Sequence, residues 1–523
     1  MKITLITTGS VPYALGLRVL SSVLKKAGHE VKFICMKSGE NYYNLYTKKE
    51  LSQLKELCKK DGLIGLDCFS STYLKTKQVI AYLNKELKVP IIFGGIHATL
   101  SPESCINDCD IVCVGEGEEA IVEVANAIEN KKPLDNIKNI WIKKDGKIIK
   151  NEVRDLIDDL DKLPFPDFDI KNHYILDKGK IRAFEEEDFK GVLPFMSGRG
   201  CPYGCAYCSN GKFNEIYKCH RKRIVRNHSV DYSIKFLRSV KDKFKVEYVK
   251  LVDDTFTFRD IKEIKDFCNN YKKYIGIRYT CIADARTITE EKVKELVDSG
   301  CFQIAVGVQG SERVNKEVYH RYIDDKTVLK AAKILNKYKD KLSVNYDVIV
   351  TNPYEGPEDI LEVFKMLKKL PKPFRLSTHN LVFFIGSQLY ERRVSEGSIK
   401  NIKDTAIDLD YYDRGQHILR KGKNIYLYTI LSLTRGVVTD DKYGSLKVSL
   451  LDKLLQDKYV KRFNDKNKIV FIFPYLLIAF DFLKYKIAGR IYDKMPFKFR
   501  EWYINRAYGK KIFLNDTYIN KLK

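Results

Sequence analysis

Short apolar runs alternate with amphipathic stretches through about the first 130 residues. ITLITTG, HEVKFICM, LIGLDCFSS, VPIIFGGIHAT and CDIVCVGEG are the apolar runs, each ending in small residues. Between the first two, LGLRVLSSVLKKAG carries apolar residues at helical spacing and a stop at Gly28. Strands separated by helices predict a doubly wound parallel sheet. Ligands of such sheets sit at the carboxyl ends of the strands. Here those ends are Gly9-Ser10, Ser70-Ser71-Thr72, Gly94-Gly95-Ile96-His97 and Gly115-Glu116-Gly117-Glu118. Small and polar residues let backbone come close to a flat ligand.

A second repeat of the same kind runs from residue 191 to about 375. GVLPFMSGRG, VEYVKLVDDTF, IGIRYTCIADAR, CFQIAVGVQG and LSVNYDVIVTN read as strands, with helices such as TEEKVKELVDSG between them. This pattern predicts a partial TIM-like (β/α) barrel with its active face at the strand ends. HNLVFFIGSQLY has the form of a terminal barrel strand and turn. The expected domains are 1–135 (the sheet), 136–185 (a linker), 186–380 (the barrel) and 381–523 (a mainly helical region). The linker assignment rests on the charge run KKDGKIIKNEVRD and on LPFPD, whose prolines break regular structure.

Composition changes this picture in one respect. Hydrophobic content is an ordinary 44%, but the formal net charge is +25 over 523 residues. Nucleic acid, an anionic membrane surface, an acidic substrate, or Lys spread over solvated faces would each account for it. Lys461 to Lys523 holds fifteen Lys/Arg against five Asp/Glu, together with FIFPYLLIAF. It reads either as a helical cap over the barrel or as a peripheral membrane contact. The longest apolar stretch, Ile469 to Leu483, is broken by Pro474 and Asp481 and is too short to span a bilayer. Thirteen scattered cysteines, odd in number, with no targeting segment point to reduced thiols and a cytoplasmic protein.

Three of those cysteines carry the chemistry. SGRGCPYGCAYCSN places Cys201, Cys205 and Cys208 in a CxxxCxxC array. Three thiolates hold three irons of a [4Fe–4S] cube and leave one iron open, where most cubes take four cysteines. The competing ligand set is zinc with Cys219-His220 as the fourth position. The array, with Gly200, Pro202, Tyr207 and Asn210 around it, resembles the signature of the radical SAM superfamily. The resemblance implies that the open iron binds S-adenosylmethionine (SAM) and that one electron releases a 5′-deoxyadenosyl radical. It also puts Tyr207 at the SAM site, and it sets Asp253, Asp254 and Thr255 where the family binds the amino end of SAM. A helix cap is the other reading of the two Asp residues. GVQG with Ser311 and Glu312 resembles the family's Gly-x-Glu-Ser-Gly-Ser turn, with Gln309 in place of Glu. Asp347 and TNPYEGPED resemble a later strand end of the family, with Asn352 where Gly is usual.

GGIHATLSPES followed by DIVCVGEGEEA resembles the cobalamin-binding domain found before many radical SAM cores. The resemblance implies cobalamin contacts at Ser70, Ser71, Thr72, Gly94, Gly95, His97, Glu116 and Gly117. The Asp-x-His-x-x-Gly motif that supplies a cobalt-ligating His elsewhere is absent, so no His is expected beneath cobalt. A sheet that binds nothing, or binds substrate, is the other reading. Together the resemblances imply a cobalamin-dependent radical SAM enzyme, most simply a methyltransferase acting on an unactivated carbon of a small molecule, lipid or peptide. A one-electron donor such as flavodoxin or ferredoxin is implied. Ring formation or rearrangement uses the same architecture. A tRNA methylthiotransferase needs three more clustered cysteines, and Cys35, Cys58, Cys68, Cys105, Cys109 and Cys113 do not fall in that pattern, so no nucleic-acid partner is expected. The non-enzymatic alternative is a cobalamin or redox sensor, for which no output module is evident.

Overall fold

The computed structural model describes residues 1–9, 14–37, 45–217, 224–400, 405, 424–434, 436–438, 455–456 and 460. Ser10, Cys219-His220, the basic segment 461–523 and most of the expected helical region 381–523 lie outside the described residues. Those described form two compact units. One draws its described residues from 1–254, 273–277 and 382–405, and the other from 255–272, 278–381 and 424–460. Among the described residues no helix is long and apolar enough to cross a membrane.

The first unit is built on β1 (Lys2–Thr7), β2 (Glu30–Cys35), β3 (Leu63–Asp67), β4 (Ile91–Gly94), β5 (Ile111–Cys113), β6 (Ile140–Lys144), β7 (Lys147–Lys150), β8 (His173–Asp177) and β9 (Lys180–Ala183). Their order across the sheet is β7-β6-β5-β4-β3-β1-β2-β8-β9. β1 to β5 and β8 run parallel; β6 pairs antiparallel with both β5 and β7, and β9 pairs antiparallel with β8. Ile3, Leu5, Leu63, Ile64, Ile92 and Phe93 are buried because helices cover both faces. Flanking helices include Leu15–Lys26, Lys48–Cys58, Tyr73–Glu86 and Glu118–Glu129. Thr47 and Glu50 start the second of these with a reciprocal capping box.

The expected linker 136–185 is corrected by this sheet. β6 and β7 extend one edge, and β8 and β9 the other. The charged runs had concealed short half-exposed hairpins, such as Trp141↔Lys150 across β6 and β7. LPFPD is also more than a breaker. Arg18 lies between the rings of Phe33, Phe168 and Phe189 at 4.6–4.9 Å and donates to the Asp167 carbonyl at 2.6 Å. The Asp167 carboxylate in turn receives Ser21, Lys25 and His173. The prolines thus end regular structure at an anchor, not at a free tether.

After β9 the first unit continues with β10 (Gly191–Phe195), β11 (Gly198–Arg199), β12 (Arg226–Asn227) and β13 (Val246–Leu251). β10 and β13 pair in parallel, and β11 and β12 form a two-residue antiparallel ladder. The cysteine loop leaves β11 and enters the helix Ser209–Ile216. The second unit holds β14 (Arg278–Ala283), β15 (Cys301–Gln309), β16 (Ser343–Val350) and β17 (Phe374–Asn380), all parallel, with β18 (Gly436–Val438) antiparallel to β17. Helices Glu290–Asp298, Asp325–Asn336 and Pro357–Lys369 alternate with the parallel strands. Thr289 and Asp324 cap the first two. The terminal strand expected in HNLVFFIGSQLY lies earlier. It is Phe374–Asn380, whose alternation of buried Phe374, Leu376 and Thr378 with less buried Arg375, Ser377 and His379 conceals it from a search for apolar runs.

Candidate functional site

The carboxyl ends of β3, β4 and β5 surround a cavity of about 320 Å³ in the first unit. Its floor is apolar: Leu5, Ile92 and Ile121, with Leu17 and Leu20 of the first helix. Gly65 opens the floor in mid-strand, since a Cβ there would stand 2.8 Å from Leu5 and a real side chain would fill the space. Gly94, Gly95, Glu116 and Gly117 line the rim. A Cβ on Gly94 would meet nothing nearer than 3.7 Å and would project into the opening. This glycine cradle over an apolar floor fits the flat, largely apolar face of a corrin. Asp67, at the end of β3, also lines the cavity, and burial pushes its carboxyl up to about 7.

Other predicted residues stand elsewhere. Ser70, Ser71 and Thr72 form a short 3-10 turn off the cavity wall. Thr72 Oγ1 accepts the Phe69 N–H at 3.2 Å. His97 is fully buried. Its Nδ1 meets Ser70 Oγ at 3.0 Å, its Nε2 meets Ser104 Oγ at 3.4 Å, and its ring tilts on Tyr73 at 4.5 Å. Burial lowers its pKa to about 4. This imidazole is spent inside the sheet domain. Cavity lining after β3 falls instead to Cys68 and Phe69.

The far wall of the same cavity comes from the segment around the cysteine array. Phe195, Met196, Arg199, Phe213 and His228 complete the lining. His228 stacks on Tyr232 at 3.9 Å with Nδ1 3.1 Å from Asp161. Cys201, Cys205 and Cys208 are half-buried, whereas Cys35, Cys58, Cys68, Cys105, Cys109 and Cys113 are buried. Burial raises all six of the latter thiols. Burial also pushes Cys208 up to about 12, and the charges of Asp254, Cys205 and Cys201 add to the rise. Three thiolates in one loop therefore need positive charge among them, and an iron cluster supplies it. Among the described residues no three His, Cys, Asp or Glu groups converge tightly enough for a single ion. In a cube each thiolate meets its own iron. The loop leaves β11 through Gly200, whose φ of 90° and whose Cα, against the Ile224 carbonyl, leave no room for a side chain.

The two aspartates after β13 divide. Asp253 accepts Ser197 N–H at 2.6 Å, Ser197 Oγ–H at 2.6 Å and Gly198 N–H at 3.1 Å. It holds the turn that leads into the cysteine loop. Asp254 is raised by burial, opposed by a hydrogen bond from Asn210, and its charge acts on Cys208. It is the one of the pair that faces the cysteine loop. Tyr207 sits half-buried between Ala206 and Cys208. Thr255 opens the second unit ahead of the 3-10 turn Phe256–Phe258.

In the second unit Gln309 ends β15 with a φ of 69°, and its side chain folds back over Gly307. Ser311 donates to Asp359 at 2.9 Å, and Glu312 accepts the Asp325 N–H at 2.7 Å, so this turn is occupied with its own helix starts. Asn352 donates to the Tyr319 hydroxyl at 3.0 Å and accepts the Tyr354 N–H at 2.9 Å. Asp347 receives Asn345 at 2.7 Å and stands 3.4 Å from His379 Nε2. Beyond these, Glu355 is pushed up to about 8 by burial and accepts the Tyr428 hydroxyl.

Sequence reading missed Gly65, Asp67, Arg199, Tyr217 and Arg226. Gly65 interrupts the apolar run LIGLD, and Arg199 sits inside SGRGC, so both left a signal. Arg226 and Tyr217 left none.

Residues 195–367 match the radical SAM superfamily, and residues 1–125 match the B12 binding domain. An uncharacterized methyltransferase of Pyrococcus horikoshii is 25% identical over 417 residues, covering 76% of this chain and 83% of the relative. Among solved structures, the radical S-adenosylmethionine methyltransferase TsrM from Kitasatospora setae, with cobalamin and a [4Fe–4S] cluster bound, aligns with a TM-score of 0.57 at 13% identity over 76% of this chain and 75% of that one. The cobalamin-dependent S-adenosylmethionine radical enzyme OxsB, with aqua-cobalamin and SAM bound, aligns with a TM-score of 0.57 at 17% identity over 98% of this chain and 74% of that one. At these identities the structural likeness is one of fold.

Proposed function

We propose, from the premise that this chain belongs to the radical SAM enzymes carrying an N-terminal B12-binding domain, that it methylates an unactivated carbon of a small-molecule substrate. The observation that carries the reading is the shared cavity: the glycine-lined ends of β4 and β5 and the residues flanking the cysteine array form walls of one opening. When bound, the cluster supplies an electron, SAM a radical and a methyl group, and cobalamin a carrier for that methyl. The rest falls to this chain. Cys201, Cys205 and Cys208 hold the cluster. Asp254, fixed by Asn210, faces the amino end of SAM, while Asp253 shapes the turn behind it. Gly94, Gly95 and Gly117 let the corrin lie against backbone, and the apolar floor keeps water from the reacting radical. His97 is occupied by Ser70 and Ser104, so cobalt has no imidazole from it. A one-electron donor such as flavodoxin or ferredoxin completes the system. The matched enzyme TsrM has also been solved with tryptophan, which supports a small molecule over a polymer.

The test is anaerobic purification with cobalamin and turnover with methyl-labelled SAM on extracts of cells with and without the gene. Label is expected in a carbon–methyl product, dependent on protein, cobalamin and reductant. Formation of 5′-deoxyadenosine at an undiminished rate without cobalamin, and with no methylated product, would replace methyl transfer by another radical reaction. Replacing the three cysteines by Ala should abolish the brown absorbance and 5′-deoxyadenosine together. Retention of about four irons per chain would sink the cluster assignment.

A further inference from the structure

The loop after β5 is tied to the cysteine-bearing segment by a dense set of contacts within the first unit. Glu116 receives four donors on one carboxylate. Its Oε1 accepts Arg199 at 2.9 Å and Arg226 at 2.9 Å, and its Oε2 accepts Arg226 at 3.0 Å and the Ile157 N–H at 3.0 Å. Arg199 reaches onward to Glu118 at 2.6 Å. The Glu116 N–H donates to the Tyr217 hydroxyl at 2.6 Å. That hydroxyl lies where a Cβ on Gly115 would be, 2.2 Å from its ideal position, so only Gly admits it. All four ion-pairing side chains are at least four-fifths buried.

The placement of these partners in sequence carries the inference. Arg199 stands two residues before Cys201, and Tyr217 ends the helix that begins right after Cys208. Arg226 pairs with Arg199 across the β11–β12 ladder. Both sides of the cysteine loop are therefore fastened to the rim of the glycine-lined cavity. Two like-charged arginines held side by side across a ladder are unfavourable unless carboxylates sit between them. Glu116 fills that role between the two arginines, with both oxygens twice engaged, and Glu118 adds a second carboxylate on Arg199.

We propose that Glu116, Glu118, Arg199, Arg226 and Tyr217 form a latch that fixes the separation and relative orientation of the cluster and the cobalamin. They are positioning residues. Glu116, on the rim of the cavity, holds the corrin-facing loop against the cluster-facing loop. The inference rests on reading the cavity as the cobalamin site and the array as the cluster site. Misplacement by an ångström costs a reaction on the order of a hundredfold in rate, while binding of each cofactor by its own loop persists. A loosened latch should therefore uncouple the two halves of the chemistry.

The experiment uses full-length protein loaded anaerobically with hydroxocobalamin and reconstituted cluster, then reduced so that cobalt is Co(II). Three readouts are taken: iron and cobalamin per chain, dipolar broadening between the reduced cluster and Co(II) in the electron paramagnetic resonance spectrum, and 5′-deoxyadenosine formed per methyl transferred. Glu116→Gln is expected to keep both cofactors, lose the wild-type broadening, and raise the ratio at least about tenfold. Arg199→Lys, which keeps the charge but replaces the two-nitrogen fork that spans Glu116 and Glu118 with a single ammonium, should shift the same readouts less. Wild-type broadening and ratio in Arg199→Lys would overturn the latch even if Glu116→Gln failed to fold. Wild-type protein that binds cluster but no cobalamin would instead overturn the reading on which the latch rests.

Discussion

The loops that follow β4 and β5 look alike in the sequence and do different work in the structure. Both are glycine pairs with a polar residue, GGIH and GEGE. In the first, the polar residue turns inward: His97 is fully buried and bonded to two serines. In the second it turns outward and is gripped by two arginines from the cysteine-bearing segment. The glycines of both stay on the cavity. Spacing therefore reports where backbone approaches a ligand. It does not report whether a neighbouring side chain points to the ligand, to the core or to another loop.

The sharpest test of this contrast lies within GGIH. Gly95 has a φ of 97° and a ψ of −176°, and a Cβ there would stand 2.7 Å from the Cys68 N and 2.9 Å from its carbonyl oxygen. Gly94, one residue earlier, has nothing nearer than 3.7 Å. Gly95→Ala should destabilise the fold by about 4 kcal/mol, because that conformation is essentially glycine-only and the obstacle is backbone. Gly94→Ala should change stability by less than about 1 kcal/mol and weaken cobalamin binding instead. Urea unfolding and a cobalamin titration on both variants decide it. Equal stability losses would mean that the two glycines share one structural role.

The inward-turned histidine makes its own prediction. Its pKa falls from 6.5 to about 4, mainly by burial. The unfolded chain then binds a proton that the folded chain refuses, so the stability present above pH 6.5 is lost as pH falls toward 4. The loss from this group is on the order of 3 kcal/mol. His173 and His228, also lowered mainly by burial, act in the same direction. His97→Gln should flatten the stability profile between pH 6.5 and 4, and it should leave the spectrum of bound cobalamin unchanged, with no imidazole nitrogen coupling at cobalt in either protein. A spectrum that changed with His97 would make this residue a ligand and erase the difference between the loops.

Much of this was legible in the chain. The parallel strands were, because long apolar runs report burial on both faces. The cysteine loop was, because its spacing and small residues have few other uses. The edge hairpins β6–β7 and β8–β9 were not: Lys147–Lys150 is half polar, and pairing at a sheet edge leaves little trace in composition. Nor was the division of labour between Asp253 and Asp254. Adjacent residues on an extended segment point opposite ways, and the sequence does not say which way is in. Arg226 was invisible because its partner Glu116 lies 110 positions away.

The aspartate pair repeats the contrast between inward and outward at smaller energy. Asp253 receives three donors from Ser197 and Gly198. Asp253→Asn should cost about 1.5–3 kcal/mol of stability, since it turns a charged acceptor of backbone N–H into a neutral one. Asp254→Asn should leave stability within about 1 kcal/mol and weaken SAM binding roughly tenfold or more. Thermal unfolding and SAM titration of the two variants separate the roles. Unchanged SAM affinity in both would leave the pair purely structural.

The smallest effect belongs to the hydroxyl that fills the notch at Gly115. Tyr217→Phe keeps the ring, the ion pairs of Glu116 and the packing of Phe213 against residue 217 at 4.8 Å. It removes the acceptor of the Glu116 N–H. A single buried hydrogen bond of this kind contributes about 1 kcal/mol, near the limit of an unfolding measurement. Amide exchange is the better probe. The Glu116 N–H should exchange roughly fivefold faster in the variant, the factor that corresponds to about 1 kcal/mol. The Thr99 N–H, bonded to the Gly95 carbonyl at 3.0 Å, reports on the loop after β4 and should keep its wild-type rate. Acceleration at both amides would mean that the two loops open as one unit. Acceleration at Glu116 alone would show that the loop after β5 takes its rigidity from the cysteine-bearing segment, while the loop after β4 takes its own from the sheet.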